Sequence, residues 1–412
     1  MVTEFGSQTQ RGLVREVKSP KIYVYNISET HRSNREAYEW MHTSLYGLEI
    51  VFPTLLLDSP YVTDNPEEAD YFYIWAWLYY STDRKLEGVL SEISKLPYWE
   101  RKGGKDHIFT IVHDEGLCDW KQQNRFGPIR DSIIMQHWGK VTGIPIDNPC
   151  HMVDKWAASC DQVFRMVDAQ TAGHEPFPCY VKGKDLLVPT ITSENTETTP
   201  YLNPALNVNK TTLIIFGGGI NKTHLSSEEH PERDAGYSFG VRQTFARLYH
   251  GHPGVKIFYE MVPDYWEHFS ASTFCLAPAG WGWGARVKSA VTRGCIPVII
   301  QDGIKVEWED DLPLQEYAVR VPFMYIHRLP EILHRIERVP GRIAQMRRNL
   351  ECVWQLHWWN RPHGRAFEMT MCVLKARLHN TQPRLDLRVC RLFCGTDEAV
   401  NFKHGETGIN SI

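Results

Sequence analysis

The sequence predicts an α/β protein with two doubly wound, Rossmann-type domains that face each other across a cleft. Strand and helix patterns alternate through two successive halves of the chain, and each half carries a glycine loop. The length of 412 residues is enough for two domains with separate cores. We therefore expect a disordered segment over residues 1–20, an N-terminal domain over 21–205, a C-terminal domain over 206–375 and a tail over 376–412.

The stretch over residues 274–302 reads as strand, glycine loop, helix and strand. Its loop alternates glycine with tryptophan, at Gly280, Gly282 and Gly284. A glycine loop at the carboxyl end of a strand can approach an anion closely. Arg286, in the first turn of the following helix, can add a forked positive charge that suits a diphosphate. An ordinary packing unit with a solvated arginine would have the same pattern.

Titratable residues follow two predicted strands of the N-terminal half. The strand over residues 108–112 runs into a histidine followed by Asp114 and Glu115, and the strand Ile133–Gln136 runs into His137. An α/β domain places its site at the carboxyl ends of its strands. A general base takes a proton from the reacting group of a substrate. From their positions at the strand ends, we rank Asp114 first, Glu115 second and His137 third for this role. For either histidine, a hydrogen-bonded core position is the alternative.

The C-terminal half begins with an apolar strand over residues 212–216, which runs into Gly217, Gly218 and Gly219. This triplet is not the GxGxxG pattern, and no suitably placed acid indicates NAD. The glycines would let the strand end approach a ligand or another backbone. Arg242 opens a later helix and is a second candidate for binding a diphosphate, with a surface arginine as the alternative.

Composition narrows the function classes. The net charge of -4, with mixed signs along the chain, gives no indication of nucleic-acid binding. No apolar run approaches the roughly 20 residues that span a bilayer, and glycosylation triplets begin at Asn26, Asn209 and Asn221. The ten cysteines show no CxxC pairs, which argues against zinc and leaves buried thiols or lumenal disulfides. Of the ten, Cys390 and Cys394 look most like a cysteine that takes part in a disulfide and the cysteine next to it.

Residues 274–299 resemble the nucleotide-sugar segment of the exostosin-like glycosyltransferases, family GT47. Arg286 matches the family's arginine, and residues 294–299 match its closing strand. Gly284 stands where serine is usual, and Ser289 where an acid is usual. The resemblance covers most of residues 21–360 and is densest at 66–75, 104–116, 178–189 and 274–309. The Gly-Trp-Gly form of the loop resembles algal or protist members.

The resemblance implies a GT-B fold, with the donor in the C-terminal half and the acceptor in the N-terminal half. It implies inverting transfer of a sugar from a nucleoside diphosphate, UDP above all, to a hydroxyl of a polysaccharide or glycoprotein glycan. It assigns Glu309, with Glu307 as the alternate, to the ribose or sugar hydroxyls. The donor-binding residues are then Arg286, Arg242, Glu309, Gly217, Gly218, Gly282 and Gly284. With no Asp-x-Asp triplet in the chain, we expect neither a metal ion nor another cofactor.

The resemblance also bears on location and partners. Family members are usually Golgi type II membrane proteins, so it implies the Golgi lumen, with an anchor in a segment outside this chain; a complete chain would be soluble. As partners we expect further copies of this chain or another glycosyltransferase, in a homo- or hetero-oligomer. Departures at Gly284 and Ser289 leave open a carbohydrate-binding protein that has lost catalysis. An NAD-dependent dehydrogenase or epimerase is a further alternative, against which the glycine triplet argues.

Overall fold

The computed structural model describes residues 19–32, 41, 44–79, 83–118, 127–141, 179–191, 209–220, 237–260, 262–395 and 399–401. Most of the N-terminal segment for which we expect disorder lies outside these residues. The strands are β1 (Ile22–Val24), β2 (Tyr71–Ile74), β3 (His107–Ile111), β4 (Ile133–Gln136), β5 (Gly139–Lys140), β6 (Leu186–Leu187), β7 (Thr212–Gly217), β8 (Val255–Phe258), β9 (Ser272–Pro278), β10 (Ile296–Ile300), β11 (Ile304–Lys305), β12 (Val319–Arg320), β13 (Arg384–Asp386), β14 (Arg391–Phe393) and β15 (Ala399–Asn401). The helices are α1 (Leu48–Leu57), α2 (Asp83–Ile93), α3 (Tyr98–Arg101), α4 (Val241–Tyr249), α5 (Tyr265–Ser270), α6 (Arg286–Thr292), α7 (Leu329–Glu337), α8 (Arg342–Val353) and α9 (Ala366–Leu378).

Two parallel sheets confirm the predicted α/β class. The N-terminal sheet has the order β1-β2-β3-β4-β6, and the C-terminal sheet has the order β12-β10-β9-β7-β8. Every residue of β2, β9 and β10 is buried. Continuous apolar runs form these strands because helices cover both faces of a parallel sheet. In the C-terminal sheet the order reverses between β7 and β9, and such a switch point opens a crevice at the carboxyl ends of the strands.

Helix α1 begins after Gly47 and continues through Pro53. Leu48, Phe52 and Leu56 are spaced four residues apart and are completely buried in the main core. Burying this apolar stripe stabilises the helix by more than the hydrogen bond that Pro53 cannot donate.

The two domains are joined by secondary structure as well as by the linker. Strand β5 of the N-terminal domain pairs antiparallel with β11 of the C-terminal domain. Helix α9 returns to the N-terminal domain, where the Tyr71 hydroxyl donates to the Leu374 carbonyl at 3.0 Å and Arg377 donates to the carbonyls of Lys184 and Asp185. The domain boundary predicted at residue 375 falls inside this helix.

Part of the predicted tail forms a small antiparallel sheet, β13-β14-β15. Disulfides Cys352–Cys390 and Cys372–Cys394 attach it to α8 and α9. Cys390 and Cys394 therefore each take part in a disulfide. Two further disulfides, Cys118–Cys179 and Cys275–Cys295, lie in the two domains. Among the described residues, no helix combines the length and the apolarity that crossing a bilayer needs.

Candidate active site

Arg286 and Gly218 meet at the switch point of the C-terminal sheet. Gly218 follows β7 with φ +147°, a conformation that favours glycine. A Cβ atom added there would lie 2.8 Å from Nη2 of Arg286 and 3.6 Å from Nη1 of Arg242. The Arg286 side chain is partly exposed, and it has no hydrogen-bond acceptor within the part of the chain that the structure describes. Its charge is therefore available to an anion in the crevice.

Arg242 is buried and holds the walls of the site together. Its Nε and Nη2 donate to the Ala279 carbonyl at 3.1 and 2.7 Å, and its Nη1 donates to the Gly219 carbonyl at 2.9 Å and the Tyr237 hydroxyl at 2.6 Å. Burial lowers the pKa of Arg242 to about 10, and the positive charge of Arg286 also lowers it. Arg242 is thus not a surface arginine: it fixes three loop segments around Arg286.

The pKa of the Tyr237 phenol is affected by charged residues of both domains. Burial raises the pKa of its phenol, Arg242 and Arg286 lower it, and Asp114 raises it. One buried phenol therefore lies within electrostatic range of the two arginines of the C-terminal domain and of the carboxylate of the N-terminal domain. The structure thus brings the first-ranked base candidate into the neighbourhood of the predicted diphosphate site.

Asp114 lies directly under the glycine–tryptophan loop, residues 280–284. The Tyr46 hydroxyl donates to Oδ1 of Asp114 at 2.8 Å, and the Trp283 backbone N–H donates to the Asp114 carbonyl at 2.9 Å. A Cβ atom on Gly282 would lie 1.7 Å from the Asp114 carbonyl oxygen, so this contact requires glycine. The second-ranked base candidate, Glu115, follows Asp114 and is partly exposed.

His137 has one satisfied and one unpartnered nitrogen. Its Nδ1 donates to the Val188 carbonyl at 2.8 Å, and its buried Nε2 has no partner within the described residues. The ring meets Trp283 edge-on at 5.0 Å. Burial lowers the pKa of His137 to about 4, so the imidazole is neutral at pH 7 and its Nε2 carries a lone pair. The histidine therefore combines a core hydrogen bond with an acceptor that none of the described residues uses.

The model of the Exostosin GT47 domain matches residues 16–336, which is more than half of the chain. The chain belongs to the exostosin GT47 family. It is accordingly a glycosyltransferase, and no finding favours the alternative of a carbohydrate-binding protein that has lost catalysis.

Two relatives and one solved structure illustrate the similarity. A probable glucuronoxylan glucuronosyltransferase of Arabidopsis thaliana is 25% identical over 355 residues, which cover 80% of this chain and 70% of the relative. A probable beta-1,4-xylosyltransferase of the same plant is 26% identical over 328 residues, which cover 76% and 71%. The crystal structure of Anabaena HepE in complex with UDP and glucose has a TM-score of 0.35 and 9% identity, covering 83% of this chain and 96% of that one.

The two acids assigned to the donor in this GT47 chain have protein partners of their own. Glu309 accepts from the Val306 N–H at 3.0 Å and pairs with Lys305 and Arg320. Glu307 is buried, with Oε1 3.6 Å from Nδ1 of His357. A nucleoside would have to compete with these contacts, which sequence spacing could not show.

Three of the four glycines assigned to the donor lie against other parts of the protein. A Cβ atom would lie 2.3 Å from the Tyr265 hydroxyl at Gly217, 2.7 Å from the Pro278 carbonyl at Gly284, and against Asp114 at Gly282. Only Gly218 among the four faces the arginines. At these three positions the absence of a side chain therefore allows close approach of the protein to itself.

Glu49 is a buried acid that the sequence pattern did not reveal. It lies on α1, is 1% exposed, and accepts the N–H groups of Leu78 at 2.9 Å and Tyr79 at 3.1 Å through Oε2. Burial raises the pKa of its carboxyl to about 8, while backbone donors, that of Val112 among them, lower it. Glu49 therefore braces the segments that follow β2 and β3, next to Asp114.

Replacing Glu49 by glutamine should flatten the dependence of stability on pH. The folded pKa of about 8 lies above the ordinary value of 4.5, so the protonated acid favours folding below pH 4.5, and this contribution is lost as the pH rises to 8. Each unit of pKa shift corresponds to about 1.4 kcal/mol of unfolding free energy. Urea unfolding at pH 5, 7 and 8.5 measures the effect. Equal pH dependence in Glu49→Gln and the parent would contradict it.

Replacing Gly218 by alanine should displace Arg286 and weaken UDP binding about tenfold, because the added methyl group meets the guanidinium. The backbone strain should cost about 1 kcal/mol of unfolding free energy. Gly251→Ala is the matched control, since Gly251 also has positive φ and an added Cβ there would meet nothing within 4 Å. The affinity of each variant for UDP is measured by calorimetric titration. Equal affinities of Gly218→Ala and Gly251→Ala would show that Gly218 is not part of the donor site.

Proposed function

We propose that this glycosyltransferase moves a sugar from a UDP-sugar to a hydroxyl of a polysaccharide, with inversion at the anomeric carbon. The observation that carries the proposal is the meeting of Arg286, Gly218 and Asp114 around Tyr237, where the carboxyl ends of the two sheets face each other. The site offers a cation for the leaving diphosphate on one domain and a carboxylate for the attacking hydroxyl on the other.

Inversion needs one in-line displacement, in which the acceptor hydroxyl loses its proton as it attacks. Asp114 is the proposed base, because it belongs to the opposite domain from Arg286 and shares its electrostatic environment. Tyr46 holds Oδ1 of its carboxylate, which leaves Oδ2 for the hydroxyl. Glu115 is the second candidate, and His137, whose Nε2 has no partner among the residues that the structure describes, is the third.

The leaving diphosphate must be stabilised as its negative charge grows. The Arg286 guanidinium can donate two parallel hydrogen bonds to phosphate oxygens, and a fixed donor of this kind needs no rearrangement during the reaction. Arg242 supports it by holding the loops that surround it. We propose that these residues act without a metal ion. In the described residues, no group of three histidines, cysteines or acids could hold one.

The relatives suggest the sugar class. One is named for glucuronosyl transfer in glucuronoxylan and another for β-1,4-xylosyl transfer. We propose UDP-glucuronic acid or UDP-xylose as the donor and a xylan-like glycan as the acceptor. A Golgi lumenal location with a membrane anchor outside this chain, association with another glycosyltransferase, and a place among algal or protist members also belong to the proposal. The last of these rests on the Gly-Trp-Gly loop alone.

A transfer screen tests the proposed function. Purified protein is incubated with UDP-glucuronic acid, UDP-xylose, UDP-galactose or UDP-N-acetylglucosamine and with xylo-oligosaccharides, and products are identified by mass spectrometry and anomeric NMR. Elongated product of inverted configuration that also forms in EDTA supports the proposal. A retained configuration would exclude single displacement, and activity lost in EDTA and restored by manganese would exclude the metal-free mechanism.

A further inference from the structure

Trp283, in the glycine–tryptophan loop, connects the two domains beside the site. We propose that Trp283 is an interdomain positioning residue, whose insertion into the N-terminal domain aligns Asp114 with Arg286. The proposal rests on the function proposed for these two residues. It adds that their alignment depends on one docked side chain.

The hydrogen bonds that Trp283 donates reach the segment that follows β3. Its backbone N–H donates to the Asp114 carbonyl at 2.9 Å. Its indole Nε1–H is shared between the carbonyls of His113 at 3.0 Å and Val112 at 3.1 Å. Buried carbonyls need such donors, and here one residue of the C-terminal domain supplies them for three consecutive residues of the N-terminal domain.

The indole ring packs against side chains of the N-terminal domain. Trp283 is 8% exposed and clusters with Trp138 and the Cys118–Cys179 disulfide. Its ring meets those of Tyr46 and His137 edge-on, at 5.1 and 5.0 Å. Aromatic burial of this kind stabilises a contact in addition to its hydrogen bonds. The insertion thus has both a polar and an apolar component.

The same contact orients the Asp114 carboxylate. Tyr46, whose ring packs against the indole, donates its hydroxyl to Oδ1 of Asp114. Trp283 therefore holds the Asp114 main chain directly and its carboxylate through Tyr46. Hydrogen bonds of this kind fix a catalytic group in a narrow range of orientations.

The cation is carried by the same loop. Arg286 lies three residues after Trp283, at the start of α6. Gly282, on the other side of Trp283, approaches the Asp114 carbonyl so closely that no side chain fits between them. Asp114 is thus connected to Arg286 through one short segment, residues 283–286, which is docked at Trp283. Loss of this contact should change the relative position of base and cation while each domain keeps its fold.

The test compares Trp283→Ala with Trp354→Ala, which removes an indole of similar burial from the C-terminal core. A misplacement of about 1 Å costs roughly 100-fold in rate, so Trp283→Ala should lower kcat about 100-fold while the Kd for UDP changes less than about threefold. Trp283→Phe keeps a ring but loses the Nε1–H donor, and should lower kcat about tenfold by the same principle. Trp354→Ala, assayed below its unfolding temperature, should retain kcat.

Hydrogen–deuterium exchange of the peptide over residues 112–115 provides a readout that needs no activity. Faster exchange in Trp283→Ala than in Trp354→Ala supports the docking. Two outcomes would contradict the positioning role but not the proposed function, provided that the parent transfers sugar. In one, Trp283→Ala has the same kcat as the parent; in the other, it loses UDP affinity and kcat in parallel. If the parent transfers no sugar, the proposed function fails, and unchanged exchange over residues 112–115 would by itself overturn the docking.

Discussion

Replacing Arg286 by alanine should lower kcat for sugar transfer about 100- to 1,000-fold, the usual effect of losing one fixed donor to a developing negative charge. UDP binding should also weaken, since the diphosphate loses a charge-assisted pair of hydrogen bonds. The melting temperature should hardly change, because Arg286 is partly exposed and has no acceptor within the described residues. Steady-state kinetics, titration with UDP and thermal unfolding measure the three effects.

Two further variants serve as controls for Arg286→Ala. Arg286→Lys keeps the charge but not the planar fork, and should recover only part of the activity. Arg328→Ala removes an exposed arginine of the same domain, whose partner is Glu331, and should retain activity. Arg286→Ala with unchanged kinetics would remove Arg286 from the site.

Replacing Asp114 by asparagine should lower kcat about 100- to 10,000-fold, the range that general-base catalysis contributes. The amide has the shape of the carboxylate and can still accept from Tyr46, but it cannot take the proton of the acceptor hydroxyl. UDP affinity should be retained, because the donor contacts belong to the other domain. Turnover and UDP binding, measured on the same preparation, separate these two effects.

Three further variants, compared with Asp114→Asn, identify the general base. Asp131→Asn changes an exposed carboxylate of the same domain and should leave turnover unchanged. Glu115→Gln and His137→Gln should each cost less than Asp114→Asn. If Asp114→Asn retained full activity while Glu115→Gln abolished it, the base would be Glu115.

The positions of the strands, and therefore the edge of the sheet that carries the site, followed from the sequence. Apolar runs that stop at glycine or at a titratable residue placed Asp114 and His137 after β3 and β4, and Gly218 after β7. These features are local, since each depends on residues that adjoin in the chain. The start of α6 at Arg286 is local in the same sense.

The partners of those residues could not be predicted in this way. Tyr46 reaches Asp114 from 68 residues away, and Trp283 reaches the end of β3 from 170 residues away. Such contacts depend on tertiary packing, for which spacing along the chain has no signal. Glu309 is a further case. The resemblance assigns it to the donor, and spacing along the chain could not show that its carboxylate pairs with Lys305 and Arg320.

Arg242 shows how burial changes the role expected of a residue. From the sequence it is a second candidate for binding the diphosphate, with a surface arginine as the alternative. In the structure, three of its nitrogens donate to protein groups, so it supports the loops next to Arg286. Removing it would leave buried carbonyls without donors, which destabilises the fold as well as the site. The roles of the two arginines are therefore separable by experiment.

A structure of the protein with UDP bound tests the central proposal most directly. We expect the diphosphate to lie in the crevice between Gly218 and the start of α6, on the side that faces Asp114. Its phosphate oxygens should lie about 2.7–2.9 Å from the Arg286 guanidinium, the usual length of a charge-assisted hydrogen bond. A complex in which the diphosphate binds elsewhere, with Arg286 directed into bulk solvent, would contradict the proposal.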